Sequence, residues 1–242
     1  MSIFNKNKLN QNDIEFGLID DNSPFALKEA YSALYTNIIY IGVGDKCKKI
    51  VITSAVPSEG KSTVSANLAI SIAKNSEDKK VLLIDADLRA PKISKLFGID
   101  EGTTGLSEYL AGVDAEPNFI HLEDRNLTVL ASGAKSLNPT QLLSSSSMEK
   151  LLTDCDADFD YIVIDTPPVN LFTDALMFNN YVNGYIISTL SERSDTKSIT
   201  ECVGKLNQVG AEVIGFVYSG SRLKSFSGKY KYSKQYSNYT QR

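Results

Sequence analysis

The sequence contains few of the residues that build zinc sites and disulfide frameworks. Its 242 residues include three cysteines, one histidine and no tryptophan. The cysteines, Cys47, Cys155 and Cys202, are widely spaced and odd in number. Disulfide-stapled secreted domains carry many paired cysteines, and structural zinc needs clustered cysteine or histidine ligands. We therefore expect neither kind of site, and we expect a reducing cytoplasm as the environment of the protein.

Long hydrophobic runs are also lacking. No stretch approaches the roughly 18 apolar residues that a membrane span requires. The N-terminal sequence MSIFNKNKLNQNDIEF has no apolar core of the kind found in signal peptides. We therefore expect that any link to a membrane comes through a partner.

Acidic residues are missing from the C-terminal end. Residues 222–242 contain six basic residues and no acidic one, although the whole chain has a net charge of -4. The same segment holds four of the twelve tyrosines, Tyr230, Tyr232, Tyr236 and Tyr239. Such a composition is typical of a flexible tail that meets an acidic partner, a membrane surface or an anionic ligand, or that keeps the protein soluble.

Six short aliphatic runs alternate with helical patterns along the rest of the chain. The runs are 49–53, 80–85, 127–131, 161–165, 184–189 and 212–218. Helical patterns lie between them, at about 61–75, 139–154, 173–181 and 195–209. The runs are nearly continuous in apolar residues, as expected of strands covered by helices on both faces. The alternation predicts a single α/β domain with a doubly wound, mostly parallel sheet.

This domain is expected to span residues 24–221, between the tail and an N-terminal arm. Residues 1–23 are polar and are interpreted as a loosely held arm. A helix is predicted over about 23–42, with Ser23 as its N-cap and proline at its first position. The lone histidine, His121, lies outside every candidate site and is interpreted as structural.

A phosphate-binding loop is indicated by the sequence SAVPSEGKST, which follows a predicted strand and opens a predicted helix. It matches the pattern of glycine, four residues and Gly-Lys-Ser/Thr, except that Ala55 replaces the first glycine. Gly60 lets the backbone approach phosphate, Lys61 supplies a cation, and the Ser62 hydroxyl suits Mg²⁺. We assign nucleotide binding to Pro57, Ser58, Glu59, Gly60, Lys61, Ser62 and Thr63.

Three aspartates lie at or just beyond the ends of predicted strands. Asp85 and Asp87 belong to VLLIDADLRAP, and Asp165 ends the run YIVID. Open α/β sheets bind their ligands at the carboxyl ends of the strands. A strand-end aspartate is often only a helix cap, but three of them beside a phosphate loop indicate a Mg²⁺ site. Carboxylates as close as Asp85 and Asp87 repel each other unless Mg²⁺ or a proton compensates.

Three segments together, SAVPSEGKST, LLIDADLRAP and YIVIDTPP, resemble the bacterial protein-tyrosine kinases of capsule and exopolysaccharide systems (BY-kinases). The resemblance continues through GLSEYLAG, LTVLASGAKSLNPTQLLSS and the tyrosine tail, so it covers nearly the whole chain from about residue 24. The second of the three segments is unusually specific to this family and its near relatives. The fold that the resemblance implies is the P-loop NTPase fold of the partitioning and division-site ATPases.

The resemblance implies a role for each matching residue in ATP-dependent phosphorylation of tyrosine. Lys61 would stabilise the transferring phosphoryl group. Ser62 would bind Mg²⁺ with help from Asp87 and Asp165. Asp85 would lie nearest the incoming tyrosine hydroxyl, as its base or its orienting group.

The resemblance further implies that the tail is the substrate. Its four tyrosines would be phosphorylated in trans, by a neighbouring subunit, to regulate the synthesis and export of a surface polysaccharide. The implied partners are a cognate tyrosine phosphatase and a membrane-spanning activator of the polysaccharide co-polymerase type. This activator would recruit the cytoplasmic kinase to the inner face of the cell membrane.

Three features depart from the family pattern. Ser58 replaces a glycine of the loop, and Ser219 replaces an asparagine common near the adenine, so base recognition is assigned to no residue. Family members often carry Glu-x-x-Arg-x-x-Arg on the first helix and assemble into rings with it. Here Glu29 is followed by Ser32 and Tyr35. A ring held by this bridge is not expected, although a homo-oligomer of another kind is possible. Tyr35 could add hydrophobic contact to a neighbour, and Tyr31 and Tyr35 could equally be minor phosphorylation sites.

Two other functions fit parts of the pattern. A partitioning or positioning ATPase acts as a nucleotide-dependent dimer on a surface or on DNA. Such proteins usually carry a lysine early in the loop, which SAVPSEGKST lacks, and they have no reason to end in tyrosines. A nucleic-acid-binding tail would combine stacking aromatics with lysines, but no folded recognition module accompanies it. We therefore expect no nucleic-acid partner.

Overall fold

The computed structural model describes residues 17–220 except 43, 77 and 192 and the side chain of Asp124. The strands in this part of the chain are β1 (Lys48–Ser54), β2 (Val81–Asp85), β3 (Phe119–Leu122), β4 (Leu127–Leu130), β5 (Tyr161–Asp165), β6 (Gly184–Leu190) and β7 (Val213–Ser219). The α-helices are α1 (Phe25–Ile39), α2 (Lys61–Asn75), α3 (Ile93–Phe97), α4 (Leu106–Leu110), α5 (Pro139–Leu143), α6 (Ser146–Asp158) and α7 (Thr196–Gln208).

The strands form one sheet in the order β3-β4-β2-β5-β1-β6-β7. Neighbouring strands are parallel, except that β3 runs antiparallel to β4 at one edge. Helices cover both faces of the sheet, because one hydrophobic cluster contains residues of α1 and α2 and a second contains residues of α6 and α7. The prediction of a single doubly wound, mostly parallel α/β domain is confirmed.

The central strands are buried on both faces. Every residue of β2 and of β5 is buried, which is why these strands read as continuous apolar runs in the sequence. Their last residues, Asp85 and Asp165, face each other in the parallel register. The sheet therefore brings two of the predicted carboxylates together in the interior of the protein.

All six predicted strands are present, and the sequence pattern missed a seventh. Strand β3 is four residues long and mostly half-buried at the sheet edge, so its sequence FIHL has no continuous apolar pattern to mark it. It contains His121, whose Nδ1 lies 2.9 Å from Thr128 Oγ1 on β4. This cross-strand contact agrees with a structural role for the histidine.

Two of the predicted helices have different bounds in the structure. The pattern over 139–154 is divided into α5 and α6. Ser145 separates them because its side chain accepts a hydrogen bond from the Met148 N–H at 3.3 Å and caps α6. The pattern over 173–181 forms only a 3₁₀ helix at Asp174–Phe178.

Helix α1 packs differently from the prediction. Tyr35 is only 8% exposed, and its ring packs edge-on against Tyr161 of β5 with the ring centroids 5.8 Å apart. The prediction that Tyr35 contacts a neighbouring subunit is therefore wrong, because this residue belongs to the core of its own chain. The predicted N-cap is also wrong, since Ser23 bonds with Asp20 and no side chain caps α1.

The segment before α1 runs against α2. Ile19 is buried, and its N–H donates to Asn67 Oδ1 at 2.7 Å. Residues 1–16 of the predicted arm and the predicted tail 222–242, with its four tyrosines, lie outside the described residues. Within the described part of the chain, no helix is both long enough and apolar enough to span a membrane.

Candidate active site

The loop between β1 and α2 is shaped by two residues with left-handed backbone. Gly60, directly before α2, has a φ of 79°, and Ser58 has a φ of 63°. Glycine adopts this region freely, whereas serine does so at a cost. The first N–H groups of α2 have no partners within the helix. These groups, together with the positive end of the helix dipole, are suited to phosphate oxygens.

Ser58→Gly is expected to raise the free energy of unfolding by about 1 kcal/mol, because relief of the left-handed strain outweighs the extra unfolded-state entropy of glycine. Urea unfolding of the nucleotide-free protein measures the difference. The control is Ser94→Gly at a helical position of α3, which is expected to lose about 0.5–1 kcal/mol. A loss of stability in Ser58→Gly similar to that of the control would contradict the prediction.

The residues assigned to nucleotide binding lie in different environments. Pro57 and Ser58 are exposed at the tip of the loop, and Thr63 is half-buried on α2. Lys61 and Ser62 are buried. The buried pair therefore lies on the side of the loop that also holds the strand-end carboxylates.

Glu59 is completely buried, and its side chain turns back into the protein. Oε2 accepts a hydrogen bond from the Val56 N–H at 2.9 Å, and Oε1 accepts one from the Ser194 hydroxyl. The Ser188 hydroxyl donates to the Glu59 carbonyl oxygen at 2.6 Å. The Glu59 side chain thus holds the shape of the loop. Sequence reasoning missed Ser188 and Ser194, because they lie 129 and 135 residues from Glu59 and belong to no motif.

Lys61 forms a buried ion pair with Asp87. Its Nζ lies 2.7 Å from Asp87 Oδ2, and the two side chains are 9% and 2% exposed. Burial by itself would lower the pKa of Lys61, but the charges of Asp165 and Asp87 raise that pKa above its ordinary value. The ammonium group is therefore charged, and it offsets the carboxylates that end β2 and β5.

Ser62 and Asp165 each present a buried oxygen without a partner. Ser62 Oγ and Asp165 Oδ2 have no hydrogen bond within the described part of the chain, while Asp165 Oδ1 accepts one from Ser65 Oγ at 3.0 Å. Burial raises the pKa of Asp165, and the Lys61 charge and then the neighbouring Ser62 hydroxyl oppose this shift. Buried polar atoms without partners are costly and point to a ligand that completes them. Oxygen atoms are the ligands that Mg²⁺ prefers.

The donor set fits Mg²⁺ bound together with a nucleotide. Among the residues that the structure describes, no three His, Cys, Asp or Glu side chains are grouped to hold a metal ion by themselves. In phosphate-loop proteins the protein supplies one hydroxyl and a carboxylate, and phosphate oxygens and water complete the coordination. Ser62, Asp87 and Asp165 are the residues that could supply the protein ligands here.

Asp85 is completely buried, and both of its oxygens accept hydrogen bonds from backbone N–H groups. Oδ1 accepts from Asp87 at 3.2 Å, and Oδ2 accepts from Lys92 at 3.2 Å and from Ile93 at 3.0 Å. Burial, followed by the charge of Asp165, raises the pKa of Asp85 well above its ordinary value, against these bonds. The carboxyl group thus closes the loop that leads from β2 to α3.

Comparison with known proteins places these features in a family. A family model described as ParA, NUBPL iron-transfer P-loop NTPase, matches residues 46–232. Tyrosine-protein kinase YwqD of Bacillus subtilis strain 168 is 34% identical over 215 residues, which are 88% of this chain and 89% of YwqD. Tyrosine-protein kinase CpsD of Streptococcus pneumoniae serotype 4 is 37% identical over 191 residues, covering 78% of this chain and 82% of CpsD.

Solved structures agree with this placement. The kinase domain of the Escherichia coli tyrosine kinase ETK superposes with a TM-score of 0.76 at 32% identity, covering 83% of this chain and 78% of that chain. The chimerical protein CapA2B2 has a TM-score of 0.72 at 30% identity, with coverage of 81% and 85%. The septum site-determining protein MinD of Pyrococcus horikoshii, complexed with Mg-ADP, has a TM-score of 0.59 at 25% identity, with coverage of 71% and 70%. The chain therefore belongs to the P-loop NTPase family of that model and, within it, to the bacterial tyrosine-protein kinases.

Proposed function

We propose that this chain is an ATP- and Mg²⁺-dependent kinase that phosphorylates Tyr230, Tyr232, Tyr236 and Tyr239 in the tail of a second copy. One observation carries the proposal: the buried Lys61–Asp87 ion pair lies within reach of the charge of Asp165, and the buried Ser62 Oγ and Asp165 Oδ2 have no hydrogen-bond partner among the described residues. The relatives named tyrosine-protein kinases support the choice of tyrosine as the acceptor.

Phosphoryl transfer mainly requires positioning and charge neutralisation, and the described residues are suited to both. The first N–H groups of α2 would hold the outer phosphates, and Lys61 would leave Asp87 to contact the transferred group. When bound, Mg-ATP supplies the phosphoryl group: its bond to the β-phosphate oxygen breaks as a bond to the tyrosine oxygen forms.

The tyrosine proton must leave during this step, because a tyrosine hydroxyl has a pKa near 10 and is protonated at neutral pH. Asp85 is the candidate acceptor or orienting group. Since both of its oxygens accept backbone hydrogen bonds, one of these bonds would have to open before Asp85 could accept the proton. The proton would otherwise pass to water.

We further propose that the kinase regulates the synthesis and export of a capsular polysaccharide or exopolysaccharide. A membrane-spanning activator would recruit it from the cytoplasm to the inner face of the membrane, and a tyrosine phosphatase would reverse the modification. CapA2B2 is a chimerical protein, and its likeness to this chain supports a fused or bound partner as the activator.

The test uses two variants that cannot phosphorylate themselves. Lys61→Met keeps the tail but lacks the lysine, and a variant with all four tail tyrosines changed to phenylalanine keeps the site but lacks acceptors. We expect neither variant to gain phosphotyrosine alone with Mg-ATP and the cytoplasmic segment of a candidate activator. Mixed together, they are expected to label the Lys61→Met tail, which mass spectrometry identifies.

The matched control replaces two tyrosines outside the tail, Tyr40 and Tyr218, which are 74% and 64% exposed. This double phenylalanine variant is expected to keep wild-type labelling. ATP hydrolysis without phosphotyrosine in any mixture would contradict the kinase and favour the alternative, a partitioning or positioning ATPase. If the wild type is labelled but the mixture of the two variants is not, transfer between copies is contradicted.

A further inference from the structure

Arg89, Asp174 and Thr140 form a hydrogen-bonded cluster beside the proposed active site, called here the Arg89 cross-link. The proposed mechanism gives this cluster no role. The Arg89 guanidinium contacts both carboxylate oxygens of Asp174, with Nε 2.7 Å from Oδ2 and Nη2 3.0 Å from Oδ1. Thr140 Oγ1 accepts from Arg89 Nη2 at 3.1 Å and donates to Asp174 Oδ1 at 2.6 Å. The guanidinium also stacks over the ring of Phe172, 4.1 Å from its centroid.

The Arg89 cross-link joins the loop that carries Asp87 to the loop that follows Asp165, the last residue of β5. Arg89 lies two residues after Asp87, and Asp174 lies nine residues after Asp165. The Ala86 N–H donates to the Asp165 carbonyl at 2.8 Å, where the loops leave the sheet. Beyond that bond, no backbone hydrogen bond joins 87–92 to 166–174 within the described residues. Beyond the sheet, the Arg89 contacts therefore link these two loops through side chains.

The geometry of the pair requires arginine. Asp174 is completely buried, and the Arg89 side chain is 30% exposed. A planar guanidinium can form two parallel hydrogen bonds to a carboxylate and stack on an aromatic ring at the same time. A lysine ammonium keeps the charge but loses both features. Arg89→Lys therefore loosens the loops without removing the positive charge.

We infer that Arg89 is a positioning residue for Mg²⁺: acting through Asp174 and Thr140, it holds the loop that carries Asp87 in place beside Asp165, which the sheet fixes. This inference rests on the Mg²⁺ site of the proposed function. Residues that orient metal ligands without touching the metal typically change metal affinity or activity by about 10–100-fold when replaced.

The experiment measures nucleotide binding, with fluorescent ADP as the probe and Mg²⁺ as the titrant. Arg89→Lys is expected to raise the Mg²⁺ concentration for half-maximal enhancement of binding by about 10-fold. Binding in EDTA is expected to match wild type. Asp174→Asn is expected to act similarly, and the double variant is expected to be no worse than the single ones, because both break the same link.

Two further variants keep the test decisive. Thr140→Val removes only the hydroxyl and is expected to raise the Mg²⁺ requirement by a few-fold even where Asp174→Asn fails to fold. Arg125→Lys is the matched control, since Arg125 stacks over Phe97 at 5.9 Å, next to the amino end of β4. It is expected to leave the Mg²⁺ requirement unchanged.

A wild-type Mg²⁺ requirement in Arg89→Lys would overturn the inference, and so would an equal loss of binding in EDTA or additive effects in the double variant. A separate measurement, the formation of phosphotyrosine, tests the proposed kinase activity. If Mg²⁺-dependent binding responds as expected but no variant or mixture forms phosphotyrosine, Arg89 keeps its role and the kinase proposal falls.

Discussion

Replacement of Lys61 by methionine is expected to destabilise the nucleotide-free protein by about 3–5 kcal/mol, in addition to stopping phosphoryl transfer. Lys61 is the buried cation paired with Asp87, and without it three buried carboxylates, Asp85, Asp87 and Asp165, have no counter-charge at their centre. Loss of a donor to the transferred phosphoryl group is expected to lower the rate at least about 100-fold. Chemical unfolding in EDTA and phosphotyrosine detection with Mg-ATP measure the two effects.

Two further variants show how much of the effect of Lys61→Met comes from the lost positive charge and how much depends on burial of the ion pair. Lys61→Arg keeps a cation beside Asp87 and is expected to lose activity with a smaller loss of stability. Lys79→Met breaks an ion pair with Asp160 whose side chains are 47% and 30% exposed. Exposed pairs contribute about 0–1 kcal/mol, so this control is expected to change little. A Lys61→Met protein as stable as wild type would show that the buried ion pair does not stabilise the fold.

Asp165→Asn is expected to have the opposite effect on stability. The substitution removes one of three crowded carboxylates while the amide oxygen can still accept the hydrogen bond from Ser65. The free energy of unfolding of the nucleotide-free protein is expected to rise, because a buried carboxylate crowded by two others is replaced by a neutral group. Activity is expected to fall about 100-fold because a Mg²⁺ ligand is lost.

The gain in stability should depend on pH in a defined direction. Burial raises the pKa of Asp165 above its ordinary value of 3.8, so the folded protein binds this proton more tightly than the unfolded chain does. The wild type therefore loses stability as pH rises from about 4 through the folded-state pKa, and the asparagine variant does not. The advantage of the variant is expected at pH 7–8 and should vanish as pH is lowered towards about 4.

Unfolding curves of the two proteins across this pH range test the prediction. Asp160→Asn, a change at a partly exposed carboxylate outside the site, is the control and is expected to show no such gain. An Asp165→Asn protein that is less stable than wild type at pH 7 would mean that the unpaired Asp165 oxygen is not a net cost to the fold.

Much of the site could be predicted because its signals are local. The strand, tight turn and helix around Lys61 lie in one short segment, and Asp85 and Asp165 end continuous apolar runs that predict buried strands. Parallel pairing then requires that the carboxyl ends of such strands share one edge of the sheet. For these residues, motif and period were sufficient to predict the fold class and the edge of the sheet at which the charged groups lie.

Other features depend on partners that are distant in the sequence. Glu59 belongs to the phosphate loop by its position, but Ser194, 135 residues away, donates to its carboxylate and turns the side chain into the protein, while Ser188 bonds to its backbone carbonyl. Tyr35 occupies a place where the family pattern suggested a subunit contact, and packing against Tyr161 buries it instead. No pattern in the sequence predicts such contacts.

The local sequence thus specified the sheet, the phosphate loop and the identity of the charged residues, because strand period, turn geometry and helix start depend on neighbouring residues. The folded chain alone specified which of these side chains meet. The Lys61 ion pair with Asp87 joins residues 26 positions apart, and the Arg89 ion pair with Asp174 joins residues 85 positions apart. Pairing over such distances follows from burial, since charged groups enclosed by the same core must find their partners there.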